Sequence, residues 1–220
     1  MEHIRPADIE RRSMEIITGE LRDRGITLPE ENAPVIRRVI HTTADFDYVE
    51  HLVFTSGAVR QGIKALQAGK TVVTDTNMAL SGVSKPGLKK LESQGVCFMA
   101  DPEVAAEAKS RGCTRAVISA ENAARIYPDC IYAVGNAPTA LFEIVEQMEK
   151  GFRPSLVIGV PVGFVNVVEA KEALLAACQA RKIPAIVAMG RKGGSTVAAA
   201  ILNALIYQAA QMQRPEQRGW

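Results

Sequence analysis

The stretch LVIGVPVGFVNVVEAKEALLAACQARKIPAIVA, residues 156–188, contains a complete strand–helix–strand pattern. Its two ends, 156–159 and 185–188, are short apolar runs rich in Val, Ile and Ala, which is typical of strands that are buried on both faces. Between them, residues 168–180 have the apolar spacing of a helix. Two such strands joined through a helix predict a parallel pair with a right-handed crossover.

The same alternation extends over most of the chain. The other candidate strands are 51–54, 71–74, 96–99 and 131–134, and the other candidate helices are 57–68, 86–93, 102–109, 137–149 and 197–210. This pattern predicts an α/β fold, a mostly parallel sheet covered on both faces in a three-layer α/β/α sandwich. We expect a single domain over residues 1–220, with an N-terminal helix at about 6–24 and a short, loose C-terminal tail.

The composition is that of an ordinary globular protein and excludes several classes. The 220 residues are 47% hydrophobic and 23% charged, with a formal net charge of +2, so nothing favours nucleic acid as a partner. No segment approaches the ~20 apolar residues of a membrane span, and the N-terminus lacks the apolar core of a secretory signal. The four cysteines (Cys97, Cys113, Cys130 and Cys178) form no C-x-x-C pair. We therefore expect a cytoplasmic protein with reduced thiols and no metal site.

The loops that follow the predicted strands are rich in glycine, hydroxyl and amide groups. They include DTNMALSGVS (75–84), GNAPT (135–139), GVPVGFVN (159–166) and GRKGGST (190–196). In a parallel sheet these loops gather at the carboxyl edge, where ligands bind. These loops contain few carboxylates, so they are poorly suited to metal binding or to catalysis by paired carboxylates. They favour a ligand whose anionic groups are held by backbone N–H groups.

The loop 190–196 runs from a predicted strand into the last helix. Its paired glycines, Gly193 and Gly194, allow the backbone to approach a ligand closely, and the helix start presents free N–H groups. However, the lysine precedes the glycine pair, so the spacing is not that of a phosphate loop. Two interpretations remain open: an anion-binding loop, or a glycine turn in which Ser195 or Thr196 caps the helix.

Two polar residues stand out on predicted helices. His41 follows Arg37 and Arg38 on the polar side of its helix, where it is either a general acid facing a ligand or a helix-end histidine that neutralises carbonyls. The arginines would lower its pKa, whereas the helix end and Asp45 would raise it. Ser13 lies on the apolar stripe of the first helix, where its hydroxyl could bond back to a carbonyl one turn earlier.

Short matches along the chain provide a family resemblance. They are RSMEII (12–17), VIH (39–41), GNAPTALF (135–142), GVPVGFV (159–165) and GRKGGS (190–195). On these motifs the chain resembles precorrin-8X methylmutase, also called cobalt-precorrin-8 methylmutase. The resemblance implies a flavodoxin-like fold and an isomerase of cobalamin biosynthesis. This isomerase moves a methyl group from C11 to C12 of the corrin ring and yields hydrogenobyrinic or cobyrinic acid.

The resemblance also implies roles for individual residues. His41 takes the position of the family's general acid, which protonates a ring nitrogen. The implied substrate-binding residues are Ser13, Ser84, Arg115, Gly193, Gly194 and Ser195. The implied partners are the tetrapyrrole substrate, with or without cobalt, and a second copy of the chain in a homodimer whose ring site lies near the subunit interface. Because a methyl shift needs neither a nucleophile nor a redox partner, we expect no cofactor.

Two other functions are compatible with the residues alone. The first is a carrier that binds a tetrapyrrole without converting it, because its binding loops would have the same motifs. The second is an enzyme that binds a phosphorylated metabolite through the 190–196 loop.

Overall fold

A six-stranded sheet lies at the centre of the protein, in a computed structural model that describes residues 6–218, with side chains from residue 8 onward. The strands are β1 (Leu52–Phe54), β2 (Val72–Thr74), β3 (Gly95–Val96), β4 (Ile131–Val134), β5 (Leu156–Gly159) and β6 (Ala185–Ala188). The helices are α1 (Pro6–Asp23), α2 (Ala33–Thr43), α3 (Tyr48–His51), α4 (Ala58–Gln67), α5 (Asn77–Gly82), α6 (Lys85–Lys90), α7 (Pro102–Arg111), α8 (Arg115–Ile126), α9 (Pro138–Glu149), α10 (Val167–Arg181) and α11 (Ser195–Ala209).

The order of the strands is β1-β6-β5-β4-β2-β3. Strands β2 to β6 are all parallel, and only β1, at one edge, pairs antiparallel with β6. Counted among themselves, the five parallel strands run 2-1-3-4-5, which is the order of flavodoxin. The predicted mostly parallel, flavodoxin-like sheet is therefore confirmed. The reversed direction of β1 was not predicted, because a run of three apolar residues does not encode a direction.

Helices cover both faces of the sheet and bury two large hydrophobic cores, beside a small third cluster of Val104, Ala108 and Ile118. One core lies between the sheet and helices α1 to α6 and α11, and the other between the sheet and α8, α9 and α10. Alternate strand residues serve the two cores: Val72 and Ile158 face the first, and Val73 and Val157 face the second. The three-layer α/β/α architecture is thus confirmed.

Short polar signals in the sequence set the helix starts. Proline occupies one of the first two positions of α2, α6, α7 and α9, where a missing backbone N–H costs nothing. The side chains of Thr76, Ser84, Asp101 and Thr114 accept backbone N–H groups at the starts of α5, α6, α7 and α8. These caps fix where the loops at the carboxyl edge end.

Three helices and the C-terminal segment differ from the sequence prediction. Helices α3, α5 and α8 were not predicted, and the strand expected at 96–99 is reduced to Gly95–Val96. The tail expected to be loose instead forms a 3-10 turn at Pro215–Arg218. It packs because the guanidinium of Arg218 is buried and donates to Glu10 on α1, at 2.6 Å, and to the carbonyl of Met212.

Between residues 6 and 218, no helix combines the length and apolar character needed to cross a membrane.

Candidate active site at the carboxyl edge of the sheet

The strand order reverses between β2 and β4, the position where ligands bind in this class of fold. Asp75 directly follows β2 and is fully buried. Its carboxylate accepts the backbone N–H groups of Gly135 (2.9 Å), Asn136 (2.8 Å) and Ala137 (2.8 Å). Burial raises the pKa of Asp75, and the three amide donors oppose that rise. The N–H groups of the 135–137 turn therefore hold Asp75 and do not face a ligand, contrary to the expectation for the GNAPT loop.

Of the paired glycines in the 190–196 loop, Gly193 is required by packing against the loop after β5, and Gly194 has a φ of 134°, which favours glycine. A Cβ atom on Gly193 would lie 2.7 Å from the carbonyl oxygen of Pro161 and still closer to that of Val160. The N–H of Gly194 donates to the carbonyl of Val160 at 2.8 Å. The close approach predicted for these glycines is thus an approach to the protein's own backbone.

Ser195 connects this loop to the strand-order switch point. Its buried hydroxyl lies 2.8 Å from that of Thr76, which follows Asp75 after β2. No side chain caps the start of α11, so the predicted cap by Ser195 or Thr196 is not formed. Because the first N–H groups of α11 have no side-chain acceptor, they are available at the carboxyl edge.

A buried lysine that the sequence analysis missed holds the other side of the same loop. Lys171 on α10 donates from Nζ to the carbonyls of Gly190 (2.7 Å) and Lys192 (2.8 Å), and burial lowers its pKa to about 8. Its position in the sequence was a usable signal, since it is four residues after Val167 and three before Leu174, both in the buried stripe of α10. The loop carbonyls therefore point at Lys171.

The loop is also tied to the helix that carries His41. Lys192 donates to Asp45 and Asp47, at 2.6 Å each, in the segment that follows α2. These contacts hold the pKa of Asp45 below its usual range. The N–H of Gly194 is committed to the carbonyl of Val160, whereas Lys171 occupies only carbonyl oxygens, so these contacts leave the phosphorylated-metabolite alternative open.

His41 lies in the last turn of α2 and is half-buried. Within residues 8–218 its imidazole has no hydrogen-bond or ion-pair partner, so it does not neutralise the helix-end carbonyls. Burial, followed by the charge of Arg38, lowers its pKa, Glu10 opposes this and Arg218 adds to it. The imidazole is thus a free group in a net positive environment.

Ser13 is half-buried on α1 and does not make the back-bond considered for it. Within the described residues its hydroxyl has no hydrogen-bond partner. Ile9 and Ile16, one turn before and one turn after it, are 56% and 54% exposed. The face of α1 that carries Ser13 is therefore an apolar surface with one free hydroxyl, a combination that suits contact with a ligand or a partner.

Ser84 and Arg115 occupy the part of the edge near β2 and β3. Ser84 caps α6 by accepting the N–H of Gly87, and its own N–H donates to Asn203 on α11 at 2.8 Å. Arg115 begins α8 on the opposite face of the sheet and donates to the carbonyl of Met99 at 3.2 Å. No hydrogen bond or ion pair of the described chain connects either residue with His41, so one subunit does not join all the predicted site residues directly.

The carboxyl edge also exposes large apolar side chains. Met78 follows β2, and Phe164 and Val165, which are 82% and 78% exposed, follow β5. The guanidinium of Arg191 lies 5.5 Å from the centre of the Phe164 ring. Exposed apolar groups of this size are typical of surfaces where a large ligand or another protein binds.

Together, the flavodoxin-type strand order, the uncapped start of α11 and the free imidazole are typical of α/β proteins that bind a ligand at the carboxyl edge of the sheet. The family model described as CbiC, precorrin-8X methylmutase, matches residues 8–208. The chain belongs to the precorrin-8X methylmutase family. Its members are isomerases of cobalamin biosynthesis that catalyse methyl migration, so the predicted family, enzyme class and general function are confirmed.

Individual relatives are similar over nearly their whole length. Cobalt-precorrin-8 methylmutase of Priestia megaterium is 41% identical over 203 residues, covering 92% of this chain and 88% of the relative. The corresponding protein of Salmonella typhimurium is 42% identical over 207 residues, covering 92% and 95%. The crystal structure of precorrin-8x methyl mutase from Thermus thermophilus matches with a TM-score of 0.83 and 42% identity, covering 92% of this chain and 98% of that one.

Proposed function

We propose that this protein converts precorrin-8X or cobalt-precorrin-8 into hydrogenobyrinic or cobyrinic acid. The methyl group on C11 of the ring migrates to C12, and His41 is the general acid. The observation that carries the proposal is the half-buried imidazole of His41, which no described group of the protein engages, in a member of this family. Protonation of a ring nitrogen by this imidazole withdraws electron density from the ring and promotes the shift; the proton returns to the imidazole afterwards.

The charges around His41 suggest how the acid form arises. In the free protein, burial and Arg38 hold the pKa of His41 below its ordinary value, which favours the neutral imidazole near pH 7. The proposed substrate carries acetate and propionate arms. Their negative charge, placed near Arg38 and His41, would raise that pKa and load a proton onto the imidazole as the substrate binds.

The remaining predicted residues would hold the ring and its arms. The exposed guanidinium of Arg115 can form a charge-assisted bond to a carboxylate. The hydroxyl of Ser13 has no described partner and could donate to the ring. The hydroxyl of Ser84 already caps α6, so Ser84 would act by fixing the position of the first turn of α6. Gly193, Gly194 and Ser195 would act by setting the position of the α11 start, whose free N–H groups suit an anionic arm.

We also infer a cytoplasmic homodimer with the ring site near the subunit interface. His41 and Ser13 on one side, and Arg115 on the other, are not connected within one subunit. The exposed Ile9 and Ile16 beside Ser13 give a second copy an apolar surface to cover. The four cysteines are unpaired, which fits a reducing compartment. Sedimentation of the purified protein measures the subunit number, and a monomer at micromolar concentration would contradict the dimer.

The decisive experiment replaces His41. With precorrin-8X as substrate, we expect His41→Ala to lower kcat by roughly 10²- to 10⁴-fold, the range of general acid catalysis, while hydrogenobyrinic acid still binds and shifts its visible spectrum. Thr42→Ala, in the same helical turn and exposed, is the matched control and should keep its activity. Turnover at the parental rate by His41→Ala would remove the general-acid role. Binding without turnover by the parent protein would identify a carrier.

A further inference from the structure

A large cavity has none of the seven predicted active-site residues in its lining. It has a volume of about 1080 Å³ and lies between α1, α2, the C-terminal half of α11 and residues 213–218. On α1 it is lined by the stripe Arg11, Glu15, Thr18 and Arg22 and by neighbouring positions, whereas Ser13 lies on another face of the helix. The cavity is therefore lined by other residues than those predicted for the ring site, although its Arg38, Glu10 and Arg218 also act on the charge of His41.

The lining of this cavity is strongly cationic. It contains six arginines against three glutamates: Arg11, Arg22, Arg37, Arg38, Arg214 and Arg218 against Glu10, Glu15 and Glu216. One carboxylate oxygen of Glu10 accepts from both Arg38 (2.7 Å) and Arg218 (2.6 Å). A single carboxylate between two guanidinium groups leaves a net positive charge at this point.

Arg37 has an unfilled hydrogen-bonding requirement in this cavity. Its Nε is buried and has no hydrogen-bond partner, and within residues 8–218 the side chain forms no ion pair. Buried N–H donors in proteins nearly always have an acceptor. A guanidinium group presents its donors as a planar fork that matches carboxylate and phosphate oxygens. The side chain of Arg37 lines the cavity without a counter-charge, so an anion bound there would be its ion-pair partner.

The rest of the lining is apolar and aromatic. Met14, Pro34 and Ala204 contribute to it together with the ring of Tyr207. The guanidinium groups of Arg38 and Arg218 lie 5.3 Å and 3.9 Å from the centre of that ring, which fixes both cations at the wall. A site with a few fixed charges on an apolar wall selects an organic anion over a bare inorganic ion.

We propose that this cavity is a binding site for a small organic anion, an apolar or aromatic body that carries two or more carboxylate or phosphate groups, with Arg37 as its main contact. The argument does not rest on the proposed reaction, because its main contact, Arg37, has no role in that reaction. The cavity residues that also act on the proposed site, through His41, are Arg38, Glu10 and Arg218. Carboxylate and phosphate groups can both accept hydrogen bonds from these guanidinium groups, and the choice of probes distinguishes between them.

Titration calorimetry on the full-length protein tests the site with three probes. The aromatic probe is 1,3,5-benzenetricarboxylate, citrate is the tricarboxylate without a ring, and pyrophosphate represents phosphates; each is compared with sodium chloride at equal ionic strength. We expect saturable binding of the aromatic probe, tighter than that of citrate because of the apolar wall. Binding of pyrophosphate equal to or tighter than that of the aromatic probe would assign the site to phosphates with no role for the apolar wall.

Two variants tie the binding to this cavity. Arg37→Met should weaken the aromatic probe on the order of tenfold or more, the loss of a hydrogen bond to a charged group. Arg125→Met, an exposed arginine on α8, is the control for net charge and should bind as the parent does. Gly19→Phe blocks the cavity by another route: Gly19 lines it, and a Cβ atom there meets nothing within 4 Å, so the helix tolerates the change.

Both variants are expected to fold. Arg37→Met removes a buried donor that has no partner, and Gly19→Phe replaces a glycine inside a helix. Equal weakening by Arg37→Met and Arg125→Met would reduce the effect to general charge attraction and overturn the site. The site is equally overturned if Gly19→Phe binds the probe like the parent, or if the parent shows no binding beyond the chloride control.

Discussion

The carboxyl-edge loops and the outer face of α1 and α2 are built by different means. In the loops, buried groups such as Asp75 and Lys171 are saturated with backbone partners, and Gly193 leaves no room for a side chain. On the helical face, half-buried charges surround a free imidazole at His41 and an unsatisfied Arg37. The first region should therefore respond to a loss of space or of a buried group that holds backbone, and the second to charge acting between side chains; each prediction tests that contrast.

The largest effect is expected from adding one methyl group to the glycine loop. In Gly193→Ala the new Cβ atom would collide with the backbone carbonyls of Val160 and Pro161, neither of which can rotate away. We expect the free energy of unfolding to fall by about 3 kcal/mol or more, measured by denaturant titration. Gly19→Ala, in a helix with open space around the Cβ, should instead gain up to about 1 kcal/mol. Equal stability of the two variants would remove the contrast.

A slightly smaller effect is expected when Asp75 loses its charge. Asp75→Asn replaces one acceptor oxygen by a donor that faces backbone N–H groups of the 135–137 turn. We expect a loss of about 2–3 kcal/mol in unfolding free energy, the cost of unsatisfied buried donors. Asp101→Asn is the control, because it caps α7 through a single bond in a less buried place and should lose about 1 kcal/mol or less. A loss no larger than that of the control would show that the turn does not depend on the carboxylate.

Lys171 gives the loop region a pH dependence of known sign. Its pKa is lowered from 10.5 to about 8 in the folded protein, so between these values the unfolded chain binds a proton that the folded chain does not. Stability contributed by this group therefore rises with pH from about 8 to 10.5, by on the order of 3 kcal/mol at most.

The measurement compares the parent with Lys171→Met in chemical denaturation at several pH values. The difference in unfolding free energy, parent minus variant, should increase across that window. The exposed Lys89, replaced by Met, controls for the loss of one charge. A difference that stays flat or decreases would mean that Lys171 is not the buried cation described here.

The sequence predicted the central strands of the sheet better than the short helices and the C-terminal segment. Strands β4, β5 and β6 begin and end at the predicted residues, because strands buried on both faces are continuous apolar runs bounded by Gly, Pro or Ser. Helix α8 was missed, since its many alanines blur the contrast between an apolar and a polar face. The packing of Arg218 could not be predicted locally, because its partner Glu10 is 208 residues away in the chain.

At the candidate site, too, contacts between residues far apart in the sequence were not predicted. Gly193 and Gly194 stand out in the sequence for a close approach that does exist, but it is made to the backbone of Val160 and Pro161. Asp75 does not stand out, because its partners are backbone amides sixty residues further on, which no side-chain pattern reveals. Residue types that act through their own chemistry can be found in a sequence, whereas residues that act by holding backbone need the fold.

The smallest expected effect is a shift in the pKa of His41 when a nearby charged side chain is removed. It tests the outer face of α1 and α2 alone. Glu10 raises the pKa of His41, and Arg218 lowers it. In Glu10→Gln the pKa of His41 should therefore fall further below its ordinary value, and in Arg218→Met it should move back up. Titration of the imidazole by NMR measures both shifts, and the acid limb of the rate profile should move in the same directions. Because a general structural disturbance would not move the two variants in opposite directions, shifts of the same sign would show that packing, and not charge, sets the properties of this face.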